Sequence, residues 1–146
     1  MCIGINGYDN LKHLQYARRD AEAVRDFCVN EAQFDKVYFF AEDAPPIASS
    51  SGPPLKSAPT FGNLARFLRV RFEQRFLGAE DNLWLFFAGH GKRSNRRDYL
   101  MPVDGDPGNV KRTGLAINDF DFAACSGDFA RRVAAQKRCF GGRGGS

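Results

Sequence analysis

The residues of this chain best suited to chemistry are one histidine and a small set of cysteines. His90 stands between two glycines at the end of the apolar run Asn82-Leu-Trp-Leu-Phe-Phe-Ala88. Flanking glycines permit tight backbone turns and close approach of a substrate. An imidazole held there is placed to act as a general base, with the Gly91 N–H available to an oxyanion. The plain alternative is a histidine in an ordinary glycine-rich turn. The four cysteines are Cys2, Cys28, Cys125 and Cys139, and the only other histidine is His13. No Cys-x-x-Cys pair occurs among them, so the clustered soft ligands of a zinc site are missing and no metal or other cofactor is expected.

The elements that must position His90 follow from the apolar pattern. Cys2-Ile-Gly-Ile reads as a short strand ending at the turn dipeptide Asn6-Gly7. Opening at the first residue, it implies either that chain upstream is missing or that the strand is unusually short. Leu14, Ala17, Ala21, Val24 and Cys28 keep helical spacing over residues 14–29. Lys36–Ala41 is strongly β-prone. Residues 44–59, rich in Pro, Ser and Gly, are predicted to be a flexible surface connection. Thr60 is the expected N-cap of a helix through Phe76, with Leu64, Phe67, Leu68, Phe72 and Phe76 inward and Gly78 after its end.

Asn82–Ala88 is apolar on both faces, as a central parallel strand is. Strand, helix, strand, helix, strand implies an α/β domain with a mainly parallel sheet covered by helices. Ligands of such sheets bind at the carboxyl ends of the strands, where His90 falls. Lys92–Arg97 reads as a charged loop, Tyr99–Asp104 as an extended segment ending in a turn, and Leu115–Cys125 as a helix capped near Asn118.

Composition narrows the function classes. With 43% hydrophobic and 26% charged residues, the 146-residue chain is globular rather than disordered. No apolar run approaches the ~20 residues of a membrane span, and no signal peptide opens the chain, so a soluble cytoplasmic protein without membrane partners is expected. Residues 1–128 carry 16 Lys/Arg against 17 Asp/Glu, whereas 129–146 carry five Lys/Arg and no acid. The net charge of +4 therefore comes from the tail, and no nucleic-acid partner is expected. The division is a domain over 1–128 and a basic Gly/Arg-rich tail over 129–146.

Several segments together resemble the caspase/metacaspase clan of cysteine peptidases. Ile3-Gly-Ile-Asn6-Gly-Tyr8 is similar to its opening strand, and Leu14-Gln-Tyr-Ala-Arg-Arg-Asp20-Ala21 to its first-helix motif, in which metacaspases carry a cysteine where Ala17 stands. Leu85-Phe-Phe-Ala-Gly-His90-Gly91 resembles the catalytic-histidine strand. Asp98-Tyr-Leu-Met-Pro-Val-Asp104 and Gly114-Leu-Ala-Ile-Asn-Asp119 resemble the segments that follow it. The resemblance spans residues 1 to about 125. It implies a three-layer caspase-like sandwich, incomplete at its C-terminal edge, and a peptide or protein substrate attacked by a His–Cys dyad.

It also implies that the nucleophile ends the next parallel strand. Cys125 follows His90 by 35 residues and Cys139 by 49. A helix of ~11 residues, a strand of ~5 and their loops fit the longer interval and not the shorter. Cys139-Phe-Gly-Gly also resembles the small-residue turn after the family's cysteine, so Cys139 is the candidate and Cys125 its rival. Arg131–Arg138, with four cations, is unlike the family's buried strand ending in aspartate, and its period is helical if anything. Asp20 matches a metacaspase aspartate that selects Arg or Lys in the substrate; alone, it reads as a solvated helix residue. The competing readings are an inactive caspase-like binding or regulatory module, a truncated gene product, and a flavodoxin-like ligand binder, against which the missing phosphate loop speaks.

Overall fold

The structure, a computed structural model, describes residues 1–49, 52–72, 83–117 and 135–137. In chain order the elements are β1 (Cys2–Gly4), α1 (Ala17–Asn30), β2 (Phe39–Phe40), α2 (Phe61–Phe72), β3 (Leu85–Ala88), β4 (Gly91–Ser94), β5 (Arg97–Leu100), α3 (Val110–Thr113), β6 (Leu115–Ala116) and β7 (Ala135–Lys137). Four strands form a parallel sheet in the order β2-β1-β3-β7. In it Cys2 lies opposite Phe39 and Phe86, and Gly4 opposite Ala88.

Successive residues of a strand point to opposite faces, and the two faces of β1 are covered by different helices. Cys2 packs with Ala21, Phe39 and Ala41 on the α1 side. Ile3 and Ile5 pack with Phe40, Leu64, Phe67 and Phe87 on the α2 side. Phe67 anchors α2 there, its ring edge-on to Phe40 at 5.0 Å and to Tyr38 at 4.9 Å. On the other face α1 lies so close that a Cβ at Gly4 would come within 2.7 Å of Ala21 Cβ and 2.8 Å of the Ala17 carbonyl oxygen.

Both helix starts are capped from elsewhere in the chain. Asn6 Oδ1 accepts the Arg18 N–H at 3.1 Å, and α1 therefore begins at Ala17 rather than at Leu14. At α2, Thr60 Oγ1 accepts the Asn63 N–H as expected of an N-cap, while Asp104 Oδ1 accepts the Phe61 N–H at 2.8 Å.

Four expectations are corrected. Lys92–Arg97 is not a loop: β4 and β5 form a hairpin whose two turn residues, Asn95 and Arg96, have φ of 49° and 63°. That left-handed pair matches the twist of the strands it joins. β6 completes a small antiparallel sheet in the order β4-β5-β6, so the segment from Leu115 opens as a strand and not as a helix. The remainder of that expected helix, from Asn118, lies outside the described residues. Of the Pro-rich segment 44–59, the described residues 44–49 and 52–59 are anchored at several points rather than loosely tethered. Ile47 and Leu55 exchange two backbone hydrogen bonds of 2.8 Å, and Ser57 Oγ donates to the Ala44 carbonyl. Leu55, Ser57 and Pro59 are buried. Finally, the cationic stretch before Cys139 holds a strand, β7, paired with β3 through Leu85–Ala135 and Phe87–Lys137. It stands last in the order of the described strands, and of the four cations only Lys137 falls within it.

The tightness of the α1–β1 contact is testable by calorimetry. Gly4→Ala is expected to cost about 1–3 kcal/mol by overpacking. Gly62→Ala, on a part of α2 with nothing within 4 Å, is expected to gain about 0.5 kcal/mol.

Candidate active site

Parallel strands end together, and the carboxyl ends of β1 and β3 bring two connections side by side. The last ladder bond runs from the Ile5 N–H to the Ala88 carbonyl, at 3.1 Å. Past it the chains diverge: β1 leads into residues 6–16 before α1, and β3 leads through Gly89 and His90 into the hairpin. The first of these connections is held at its root by Glu42, whose Oε1 accepts the Asn6 N–H at 2.9 Å and the Gly7 N–H at 2.7 Å.

His90 is contacted from that connection at three points. Its N–H donates to the Tyr8 hydroxyl at 2.8 Å. Its ring stands edge-on to the Tyr8 ring, with centroids 4.8 Å apart at 61°. Its Nε2 lies 2.7 Å from the Lys12 carbonyl oxygen. A carbonyl only accepts, so Nε2 carries the hydrogen and the neutral ring keeps its lone pair on Nδ1. The His90 carbonyl in turn accepts the Met101 N–H at 2.9 Å, tying the site to the end of β5.

Gly89 is required for its size rather than for backbone freedom. Among the described residues Gly52 is the only glycine with a left-handed φ. A Cβ on Gly89 would overlap the Tyr8 hydroxyl and come within 2.8 Å of Phe87 Cζ. Gly91 is exposed, opens β4 and lies opposite Leu100.

Of the other residues singled out from the sequence, Asp20 lies half-buried in the first turn of α1, where a carboxylate is favoured by the helix dipole. No ion pair or hydrogen bond engages its carboxylate among the described residues. Its neighbour Arg18 is held by Asp43 at 2.6 Å and Glu22 at 3.3 Å. Cys125 and Cys139 lie outside the described residues. Cys2 and Cys28 are buried free thiols within the α1–β1 layer. Burial pushes the Cys2 thiol up to about 11, with smaller opposing and supporting effects from the terminal ammonium and Cys28. A thiol so far from ionisation is inert as a nucleophile at neutral pH.

Tyr8 and Lys12 escaped the sequence reading as partners of His90. A backbone carbonyl has no residue signature, and Tyr8 was legible only as the end of a strand-and-turn segment. Burial pushes the Tyr8 phenol well above its ordinary range, so it meets His90 as a neutral hydroxyl. No helix among the described residues is long and apolar enough to cross a membrane.

The family model of the caspase domain matches residues 1–130, which include β1 to β6 and the described partners of His90. No curated protein matches the chain.

The state of Cys2 gives a direct check. Mass-spectrometric mapping after native alkylation at pH 8 is expected to leave Cys2 unmodified until the chain unfolds. Because the folded state retains a proton that the unfolded state releases, stability should fall as pH rises from about 9 to about 11. A denaturant midpoint that is flat or rising over that window contradicts the assignment.

Proposed function

The chain belongs to the caspase domain family, and from that premise we propose that it is a cysteine-type endopeptidase of the caspase/metacaspase type, acting on peptide or protein substrates in the cytoplasm. The observation that carries the reading is the 2.7 Å contact of His90 Nε2 with the Lys12 carbonyl, which assigns the hydrogen to Nε2 and leaves Nδ1 as the base. A base with one nitrogen committed and the other open is what a thiol nucleophile needs, since a thiol requires little further activation.

Cys139 is the nucleophile in this reading. β7 runs parallel to β3, Lys137 pairs with Phe87, and Cys139 follows Lys137 by two residues as His90 follows Phe87 by three. That register supports Cys139 over Cys125, which precedes β7 by ten residues. Nδ1 of His90 takes the thiol proton as sulfur attacks the scissile carbonyl carbon. The N–H groups of Gly91 and Cys139 receive the oxyanion. His90 then returns the proton to the leaving amine, and water, deprotonated by the same nitrogen, releases the acyl group from sulfur. Asp20, with its carboxylate unpaired among the described residues, selects Arg or Lys before the scissile bond. The complete fold in this reading is the three-layer caspase-like sandwich, lacking its C-terminal edge.

One observation favours a second reading. Lys137 and Arg138 stand where the acidic pocket residue before the nucleophile belongs, as suits an inactive caspase-like binding module. Cleavage of an Arg-containing peptide separates the two. The peptidase reading expects turnover that His90→Ala lowers by ~10²–10⁴-fold with the fold intact. Cys139→Ala should abolish it and Cys125→Ala leave it. Asp20→Asn should raise KM for Arg substrates over neutral ones. Turnover unaffected by His90→Ala sinks the assignment, and a folded wild-type chain without turnover favours the module.

A further inference from the structure

We propose that Tyr8 is the positioning residue of this site, holding the His90 main chain through its hydroxyl and the His90 ring through its own ring. This rests on His90 being the catalytic base. The need for such a residue arises where the sheet ends. Beyond the bond between Ile5 and Ala88 no strand carbonyl among the described residues accepts from the backbone that follows β3, and the His90 N–H is satisfied by a side chain instead. The Nε2–H bond to Lys12 tolerates little displacement of His90, because hydrogen bonds weaken steeply with angle and distance. Fixing the backbone at one end of the residue and the ring at the other leaves the imidazole a single tautomer and one direction for Nδ1.

Packing does not account for the hydroxyl. Tyr8 is 3% exposed and lies in the main core cluster, where a phenylalanine would fill the same space. Burying a hydroxyl is costly unless it is hydrogen-bonded, and the bond seen here is the one from His90. The absence of a side chain at Gly89 leaves room for that oxygen. Tyr8 is itself anchored: its carbonyl oxygen lies 3.0 Å from His13 Nε2, and Glu42 grips the two N–H groups before it. A mobile residue would transmit no constraint; this one is held on both sides.

Tyr8→Phe in the full chain tests the proposal, with two readouts. The ¹⁵N shifts of the His90 imidazole report its tautomer without any need for turnover. Wild-type protein should show Nε2–H alone, and Tyr8→Phe a mixture with Nδ1–H. In peptide cleavage, kcat should fall about tenfold, as for one lost hydrogen bond, with KM unchanged. A single Nε2–H tautomer and wild-type kcat in the variant overturn the proposal, as does a mixed tautomer in the wild type. Where Tyr8→Phe does not fold, Gly89→Ala displaces the hydroxyl while keeping the tyrosine ring, and the same shift toward mixed tautomers is expected; an unchanged tautomer overturns it. Should the wild type cleave nothing, the peptidase reading fails while the imidazole spectrum still decides the role of Tyr8.

Discussion

Gly4 of β1 faces α1 at a point where the helix lies too close for any side chain, and the placement of the site depends on that contact. With β2 and β3 hydrogen-bonded on either side and the α1 backbone within contact distance, hydrogen is the only substituent that fits. The close approach of α1 fixes where that helix starts, because Asn6 just beyond the strand caps it at Arg18. The connection between them is thus pinned at both ends. Having no freedom to drift, it can present Tyr8 and the Lys12 carbonyl to a histidine on the neighbouring strand. The geometry around His90 is in this sense a consequence of how tightly one helix sits on one glycine.

The parts of the fold that were legible in the sequence are those in which local and global preferences agree. Phe39, Phe40 and Leu85–Ala88 read as buried strand because nothing else accommodates such runs. Thr60 announced α2 because its hydroxyl acts within three residues of itself. The hairpin over Gly91–Leu100 was hidden because its turn is Asn95-Arg96, with no glycine to advertise the left-handed pair. In segment 44–59 the prolines spoke truly about missing regular hydrogen bonds and were silent about packing, which Leu55 and Pro59 supply. β7 was obscured by a count of four cations over Arg131–Arg138, of which only Lys137 falls within its three residues.

The site was legible in part for the same reason. His90 stood out through its own neighbours in sequence. Its partners did not, since Tyr8 lies 82 positions away and the Lys12 contact is made by backbone. A side chain that meets its partner through tertiary structure leaves no spacing to read. The assignment of a nucleophile depends on the register of β3 with β7, a relation that exists only once the sheet has formed.

Asp104 has one further bearing, on the order in which this chain acquires its structure. The carboxylate that completes the start of α2 lies 43 residues further along the chain, and Val103 beside it donates its N–H to the Pro59 carbonyl. A chain emerging from the ribosome N-terminus first therefore presents α2 with only its local cap while the intervening residues are still being made. A helix of 12 residues is marginal alone in water. Its packing on Tyr38 and Phe40, which precede it, is available at once, whereas the Asp104 contact at the Phe61 N–H is added only when the segment that follows the histidine has been made. The start of α2 is then completed by a late, non-local contact, with the slow closure that large sequence separation imposes.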